Sequence, residues 1–247
     1  MPEGAKVQPV AIPAPEGAVE LRAMLALPAR LTGRPVVALH GCGGLGPAGT
    51  PMRLPSRERD WMARRVAAGH PALFPDGFGS RGLGEACGVH RHPAGAFGVR
   101  ARDALASADW ARAQPWAGGR APALIGWSHG GSAVLAARAL AAEGQIAGAV
   151  ALYPGCLRAP DGGGSPLLML LGGADDWTPP AFCERWLAGA RGVTRIAYPD
   201  ADHGFDRLLD TRLGLTFPHN RTVHYGGQPA ARDDARARVP EFFAALP

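Results

Sequence analysis

A serine between two glycines is the clearest candidate for chemistry in this chain. Residues 124–131 read LIGWSHGG, which places Ser128 in a Gly-x-Ser-x-Gly pattern between an apolar strand and an alanine-rich helix. The pattern is typical of a nucleophile elbow, a sharp turn that presents the serine hydroxyl above a sheet. Side chains at Gly126 and Gly130 would clash in such a turn, so we expect glycine to be required at both positions.

A histidine and two aspartates follow later strands, where partners for the serine are needed. A serine hydroxyl is a weak nucleophile until a neighbouring base accepts its proton, and a carboxylate then fixes the imidazole of that base. Asp175 and Asp176 follow the predicted seventh strand, and His203 follows the eighth. We therefore predict a catalytic set of Ser128, His203 and Asp175. Asp176 is the alternative acid, and otherwise a structural carboxylate or the cap of the next helix.

The loop after the third predicted strand can donate hydrogen bonds to a reacting group. It reads HGCGG over residues 40–44. A tetrahedral intermediate needs donors where its negative charge develops, and the N–H groups of a glycine-rich loop can approach it closely. We predict that the amides of Cys42 and His129 form this oxyanion hole, and that His40 is a structural loop residue.

The elements that must position these residues alternate between short apolar strands and longer amphipathic segments. This alternation predicts one α/β domain over residues 1–247, with a mostly parallel eight-stranded sheet and helices on both faces. We expect the first two strands to pair antiparallel. The predicted strands are Val7–Ile12, Val19–Leu27, Pro35–His40, Ala72–Pro75, Ala121–Trp127, Ile146–Tyr153, Leu167–Leu171 and Val193–Tyr198. The predicted helices are Ser56–Ala68, Val99–Gln114, His129–Glu143, Pro179–Ala190 and Pro229–Leu246. Residues 77–95 and 204–227 lack periodicity and are predicted as long irregular stretches.

Composition excludes some classes of partner. The net charge is +5, but the arginines are scattered and no basic run is interleaved with aromatic residues, so nucleic-acid binding is not expected. The excess positive charge could favour an anionic substrate. We find no run of about 18 apolar residues and expect no membrane contact. The N-terminus lacks an apolar signal core, which predicts a cytoplasmic protein, with an exported protein as the alternative.

The cysteines do not indicate a metal site. None of the four forms a CxxC pair, so a zinc or thioredoxin-type site is not expected. His90 and His92 lie near Cys87 but without a cluster of carboxylates, so we interpret them as loop residues. We expect the protein to use neither a metal nor a cofactor.

The positions of the cysteines allow two redox states. Cys42 and Cys87 follow the third and fourth strands, and Cys156 and Cys183 follow the sixth and seventh, so each pair should belong to sheet neighbours. Free buried thiols are favoured slightly for a cytoplasmic chain. Disulfides Cys42–Cys87 and Cys156–Cys183 are the alternative, and would imply export.

Five stretches together resemble the dienelactone hydrolase family of α/β-hydrolases. The resemblance implies a hydrolase of carboxylic esters or lactones that works through an acyl-enzyme. The best-known members use a cysteine nucleophile, whereas this chain has Ser128, which implies a serine-esterase branch. The matching stretches, in chain order, are residues 40–44 (HGCGG), 74–76 (FPD), 126–131 (GWSHGG), 172–179 (GGADDWTP) and 202–205 (DHGF).

The same resemblance implies that arginines recognise a substrate carboxylate. Arg81 and Arg207 occupy comparable positions, although Arg81 could equally form an ordinary ion pair within its loop. Trp127 and Trp177 flank the catalytic loops and are candidates to line an acyl pocket, with core packing as the alternative. The other functions considered are a peptidase of the prolyl-oligopeptidase type and a non-catalytic binding module. The partner is expected to be a small ester or lactone, bound by a monomer or homodimer.

Overall fold

The computed structural model describes residues 1–13, 19–46, 49–89, 91–157, 159–160 and 162–247, which contain ten strands and five α-helices. The strands are β1 (Lys6–Pro13), β2 (Glu20–Leu27), β3 (Val36–Leu39), β4 (Ala72–Pro75), β5 (Ala123–Trp127), β6 (Gly148–Leu152), β7 (Leu167–Gly172), β8 (Val193–Tyr198), β9 (Leu213–Phe217) and β10 (Arg221–Tyr225). The helices are α1 (Ser56–Ala67), α2 (Val99–Ala113), α3 (His129–Leu140), α4 (Pro180–Leu187) and α5 (Pro229–Ala244).

Eight strands form one sheet in the order β1-β2-β4-β3-β5-β6-β7-β8. Strand β2 pairs antiparallel with both β1 and β4. The other neighbours in this order, from β4 through β3, β5, β6 and β7 to β8, all pair parallel. The carboxyl ends of the parallel strands therefore meet at one edge, where ligands bind in open α/β sheets. The predicted mostly parallel eight-stranded sheet and its antiparallel start are confirmed.

Helices cover both faces of the sheet and give it two hydrophobic cores. On one face, α2, α3 and α4 contribute residues such as Ala104, Val134 and Trp186. On the other, α1 and α5 contribute Trp61 and Phe243. The central strands β3 to β7 are buried along their whole length, because both of their faces are covered.

The prediction of an irregular stretch at residues 204–227 is wrong in its second half. Strands β9 and β10 pair antiparallel as a hairpin around a short 3₁₀ turn, Pro218–Asn220. Apolar residues alternate with small ones along β9, the period of a strand with one covered face. The hairpin contacts the segment after β8 through a bridge between His203 and Tyr225.

Two disulfides cross-link the segments at the carboxyl ends of the parallel strands. Cys42 is bonded to Cys87 and Cys156 to Cys183, with 4.9 Å between the Cα atoms of each pair. The slight preference for free thiols is therefore wrong, and the alternative pairing is correct. Each pair joins segments that follow adjacent strands: the loops after β3 and β4 for Cys42–Cys87, and the loop after β6 and helix α4 after β7 for Cys156–Cys183. In the described part of the chain, no helix has the length and apolar character needed to cross a membrane.

Candidate active site

Ser128 lies in a strained turn between β5 and α3. Its backbone has φ 54° and ψ −116°, a conformation that residues other than glycine rarely adopt. The flanking glycines permit the turn, because a Cβ at Gly126 would lie 2.3 Å from the carbonyl oxygen of Gly130. A Cβ at Gly130 would lie 2.0 Å from the carbonyl oxygen of Leu39. The expected need for glycine at both positions agrees with this geometry.

A chain of hydrogen bonds joins the serine, histidine and aspartate. His203 Nδ1 lies 2.8 Å from Asp175 Oδ2, and His203 Nε2 lies 2.9 Å from Ser128 Oγ. Because a carboxylate can only accept, Nδ1 carries the proton and Nε2 accepts from the serine hydroxyl. All three residues are buried, with Ser128 8% exposed. The arrangement can take a proton from the hydroxyl and return it.

The carboxylate of Asp175 is held by its own loop. Its Oδ1 accepts hydrogen bonds from the amides of Trp177 at 2.9 Å and Thr178 at 2.8 Å. The Thr178 hydroxyl donates to Oδ2 at 2.9 Å and lies 3.1 Å from His203 Nδ1. The sequence reading did not identify Thr178, although Asp-x-x-Thr before a helix is a common side-chain-to-backbone turn.

Asp176 performs a different task from Asp175. Its Oδ1 accepts the His224 amide at 2.7 Å, and its Oδ2 lies 2.6 Å from His224 Nδ1. Desolvation acts to raise the pKa of Asp176, but these hydrogen bonds and the charge of Arg212 bring it below its ordinary value. Asp176 thus fastens β10 to the loop after β7, while Asp175 alone of the two contacts His203.

The loop predicted to supply oxyanion donors lies against the serine. A Cβ built on Gly41 would be 3.9 Å from Ser128 Cβ, and Cys42 lines the same cavities as Ser128. The loop is anchored twice, by the Cys42–Cys87 disulfide and by a 2.7 Å hydrogen bond from the Ala86 amide to the Cys42 carbonyl. The roles of Cys42 and His129 as oxyanion donors remain a prediction.

A cavity of about 570 Å³ opens above Ser128 and His203. Its walls come from the 41–44 loop, the start of α1, the segment after His203 and the β9–β10 hairpin. Arg207 lines it, with its guanidinium carbon 5.0 Å from the centre of the Tyr225 ring. Trp177 also lines it and lies 4.8 Å from the His203 ring. Two of the predicted substrate contacts therefore reach the cavity.

A buried polar network supports His203 from below. Asp206, 1% exposed, accepts hydrogen bonds from Trp61 Nε1 and Trp127 Nε1 at 2.8 Å each and from the Tyr153 hydroxyl at 2.5 Å. The Tyr153 ring stands edge-on to His203 at 4.7 Å. The sequence reading did not identify Asp206 or Tyr153; the only available signal was the position of Asp206 three residues after His203.

Arg57 adds a partly buried cation to this network, with its side chain 12% exposed. Its guanidinium donates to the Tyr153 hydroxyl at 3.0 Å and to the Glu58 carboxylate. Burial acts to lower the pKa of Arg57, but the negative charges of Glu58 and Asp206 and the hydrogen bond to Glu58 help to raise it above its ordinary value. The pKa of Tyr153 is well above its ordinary value, chiefly because burial disfavours the phenolate. The positive charge of Arg57 therefore offsets the negative charges of Glu58 and Asp206, and the Tyr153 hydroxyl beside them is neutral.

Known structures share this architecture over the whole chain. A dienelactone hydrolase from Anabaena variabilis is 21% identical, with a TM-score of 0.72 and coverage of 99% of both chains. A dienelactone hydrolase-like promiscuous phosphotriesterase from metagenomic libraries is 19% identical, with a TM-score of 0.71 and coverage of 98% of this chain and 99% of that one. The chain has the α/β-hydrolase fold.

Another similar structure is larger than this chain. Dipeptidyl peptidase 4 from Porphyromonas gingivalis is 18% identical with a TM-score of 0.71, and the match covers 99% of this chain but 36% of that one. No protein-family model and no curated protein matches the sequence. Among the residues that the structure describes, no group of three or more His, Cys, Asp or Glu could hold a metal ion. His90 lies outside the described residues.

Two predicted substrate contacts do not reach the cavity above Ser128. Arg81 forms a two-pronged ion pair with Asp103, at 2.8 Å for both nitrogen–oxygen contacts, so the alternative of an ion pair is the one found. Trp127 is fully buried beneath the elbow, where it bonds Asp206 and stacks on Phe74 at 6.4 Å. Trp127 points into the core because β5 is covered on both faces, so its assignment as a substrate contact is wrong.

Two histidines near the elbow are neutral in the folded protein. Burial, with the charge of Arg100, lowers the pKa of His129 to about 3. The Arg100 guanidinium donates to His129 Nδ1 at 2.9 Å, which also requires an unprotonated nitrogen. Burial and Arg100 likewise hold the pKa of His40 well below its ordinary value. Neither imidazole can serve as a cation for an anionic substrate at neutral pH.

We expect the fold to lose stability as the pH falls from about 6.5 towards 4. In the unfolded chain His129 binds a proton below about pH 6.5, whereas in the folded protein it stays unprotonated until the pH falls to about 3. The stabilisation is therefore complete above the unfolded pKa and is lost between the two values. Each such histidine should lower the free energy of unfolding by about 1.4 kcal/mol per pH unit. Urea unfolding at several pH values measures this slope.

His129→Gln is the matched variant for this measurement. Glutamine keeps an acceptor for Arg100 but does not titrate, so its slope should be shallower than that of the wild type. A variant slope equal to the wild-type slope would show that His129 is not a source of the acid sensitivity.

Proposed function

We propose that this protein is a serine hydrolase that cleaves carboxylic esters or lactones through an acyl-enzyme. The observation that carries the proposal is the hydrogen-bond chain from Asp175 through His203 to Ser128, at the floor of a cavity. A hydroxyl held in this way is activated at the moment of attack. The similarity in fold to dienelactone hydrolases supports the same reaction class.

The residues have distinct tasks in the proposed reaction. Ser128 Oγ bonds to the acyl carbon while its proton passes to His203 Nε2, and the carbonyl becomes an oxyanion. The ester C–O bond then breaks, and His203 gives the proton to the departing alcohol oxygen. Water repeats the sequence on the acyl-enzyme and releases the acid. Asp175 keeps the imidazole in the required tautomer and stabilises its charged form.

The oxyanion is proposed to bind the amides of Cys42 and His129. The second of these is the first residue of α3, so the partial positive charge of the helix N-terminus adds to the stabilisation. The disulfide at Cys42 supports the assignment, because a donor must be fixed before charge develops.

Ser128→Ala should reduce hydrolysis of 4-nitrophenyl acetate by about a thousandfold or more. It should also abolish labelling by a fluorophosphonate, which reacts with activated serines. Ser107→Ala removes a hydroxyl that is equally buried but lies on α2, and should retain both signals. A wild-type protein with no turnover and no labelling would leave the binding module as the better interpretation.

The preferred ester is proposed to carry a negative charge near Arg207. The guanidinium of Arg207 lies over the Tyr225 ring and lines the cavity, where its planar fork of N–H groups can bind both oxygens of a carboxylate. The net charge of +5 on the protein supports the same preference.

Arg207→Ala should lower kcat/KM for carboxylate-bearing esters about tenfold or more relative to neutral esters. Arg212→Ala is the matched control, because it removes the same charge from an exposed ion pair with Asp202. Steady-state kinetics on an anionic and a neutral ester of equal size provide the comparison. Equal effects of Arg207→Ala on both esters would contradict the proposed anion recognition.

A peptidase of the prolyl-oligopeptidase type is the second candidate. Its support is the match of nearly the whole chain to a part of dipeptidyl peptidase 4. An amide needs more help at its leaving nitrogen than an ester needs at its oxygen. Comparing an ester with the anilide of the same acyl group separates the two functions, since an esterase should show a large preference for the ester.

We propose that the protein works in an oxidising compartment, the alternative of export left open by the sequence. The support is the pair of disulfides, because such bonds are rare where thiol reductants are abundant. Denatured, unreduced protein purified from its natural host should show no titratable thiol. Four free thiols in that protein would contradict the proposal and favour the cytoplasm.

A further inference from the structure

Ser128 lies where two cavities meet. The first is the cavity of about 570 Å³ that contains His203. The second has a volume of about 480 Å³. Ser128, Trp177 and the Cys42–Cys87 disulfide line both, so they form the boundary between the two cavities.

The two cavities differ in the charge of their linings. The first includes Arg57, Glu58, Glu85 and Arg207. Among the described residues, no carboxylate lines the second, and its one arginine, Arg91, is exposed. The second is formed mainly by glycines and by apolar side chains: Ala86, Val89, Ala96, Phe97 and Leu157. An apolar ligand group that enters the second cavity therefore removes water from fewer charged side chains than one that enters the first, so the cost of desolvating the protein is smaller.

The mouth of the second cavity extends its apolar surface to solvent. Val89 is 49% exposed and Leu157 is 66% exposed, although both side chains are large and hydrophobic. Exposed apolar side chains beside a cavity commonly contact a ligand. A ligand with an alkyl chain longer than the second cavity could rest on the side chains of Val89 and Leu157.

The position of His203 decides which part of an ester enters which cavity. His203 must protonate the departing alcohol oxygen, so the alcohol has to lie on the side of His203. Among the described residues His203 lines the first cavity and not the second, whereas His129, the predicted oxyanion residue, lines the second. The chain of the acid is bonded to the acyl carbon on the side away from the leaving oxygen. It therefore extends away from His203 and towards the second cavity.

We propose that the second cavity binds the acyl part of the ester and selects an apolar one, while the first cavity binds the alcohol part. This assignment rests on the serine hydrolase function proposed above. It adds a substrate class to that function: esters that join an apolar acid to a polar or charged alcohol. The boundary residues Trp177 and the Cys42–Cys87 disulfide separate the two halves of the substrate.

The mouths of the two cavities offer matched variants for a test. Val89→Ser/Leu157→Ser removes exposed apolar side chains from the second mouth. Leu208→Ser/Leu209→Ser does the same at the first, where the side chains are 43% and 55% exposed. Leu140→Ser, at a 56% exposed position at the end of α3, controls for the loss of surface apolarity. Thermal unfolding checks that each variant is folded.

The experiment compares two ester series. The first varies the acyl group from acetyl to octanoyl with 4-nitrophenol as the alcohol, and the second varies the alcohol from methyl to octyl with acetate as the acid. Val89→Ser/Leu157→Ser should lower the octanoyl-to-acetyl ratio of kcat/KM about tenfold. Leu208→Ser/Leu209→Ser should lower the octyl-to-methyl ratio in the second series and leave the acyl ratio as in Leu140→Ser.

The outcomes separate the assignment from the function beneath it. The opposite pattern, in which the Leu208 and Leu209 variant changes the acyl ratio, would overturn the assignment and exchange the cavities. Ratios unchanged in every variant would also overturn it. In both cases continued turnover that depends on Ser128 leaves the serine hydrolase function intact. Absence of turnover by the wild type on both series would overturn the function and the assignment together.

Discussion

The close contact between the first turn of α3 and the strands beneath it is the constraint on which the site depends. With glycine at positions 126 and 130, the backbone oxygens of Leu39 and Gly130 occupy the space that side chains would take. The chain can then reverse within one residue, and Ser128 is left in its strained conformation. A larger residue would push α3 outward and move the hydroxyl from His203. A displacement of about 1 Å is enough to cost a factor of about one hundred in rate.

Buried charge makes the second contribution to this geometry. Two buried carboxylates, Glu58 and Asp206, lie beside the cation of Arg57, and three hydrogen-bond donors converge on Asp206. A buried carboxylate such as Asp206 is costly unless its oxygens accept hydrogen bonds, and removing one of the three donors would leave it exposed to that cost. The network is thus a rigid support for Tyr153, whose ring limits the positions open to His203.

The sequence predicted the parts of the molecule that follow from local pattern. Strand ends were enough to predict that Ser128, His203 and an aspartate after β7 lie together, because their positions depend on the order of elements in the sheet. The preference for Asp175 over Asp176 came from its spacing to Gly172 and Pro179, and Asp175 is the one that contacts His203. The direction of a side chain on a strand covered on both faces cannot be read from its type, which is why Trp127 was misplaced. Asp206 depends on donors from Trp61 and Tyr153, far away in sequence. The redox state of the cysteines depended on an assumed compartment, and geometry gave the opposite answer.

The two disulfides also determine how the chain responds to a mechanical load. The rings they close span sequence separations of 45 and 27 residues, and they follow one another along the chain without overlapping. A force applied to the termini cannot straighten the backbone inside either ring. The first ring conceals roughly 150 Å of extended chain and the second roughly 90 Å, at about 3.4 Å per residue. Cys42, in the loop after β3, begins the first ring, so the edge of the sheet at Ser128 contains the segments that pulling cannot extend until the sulfur–sulfur bonds are reduced.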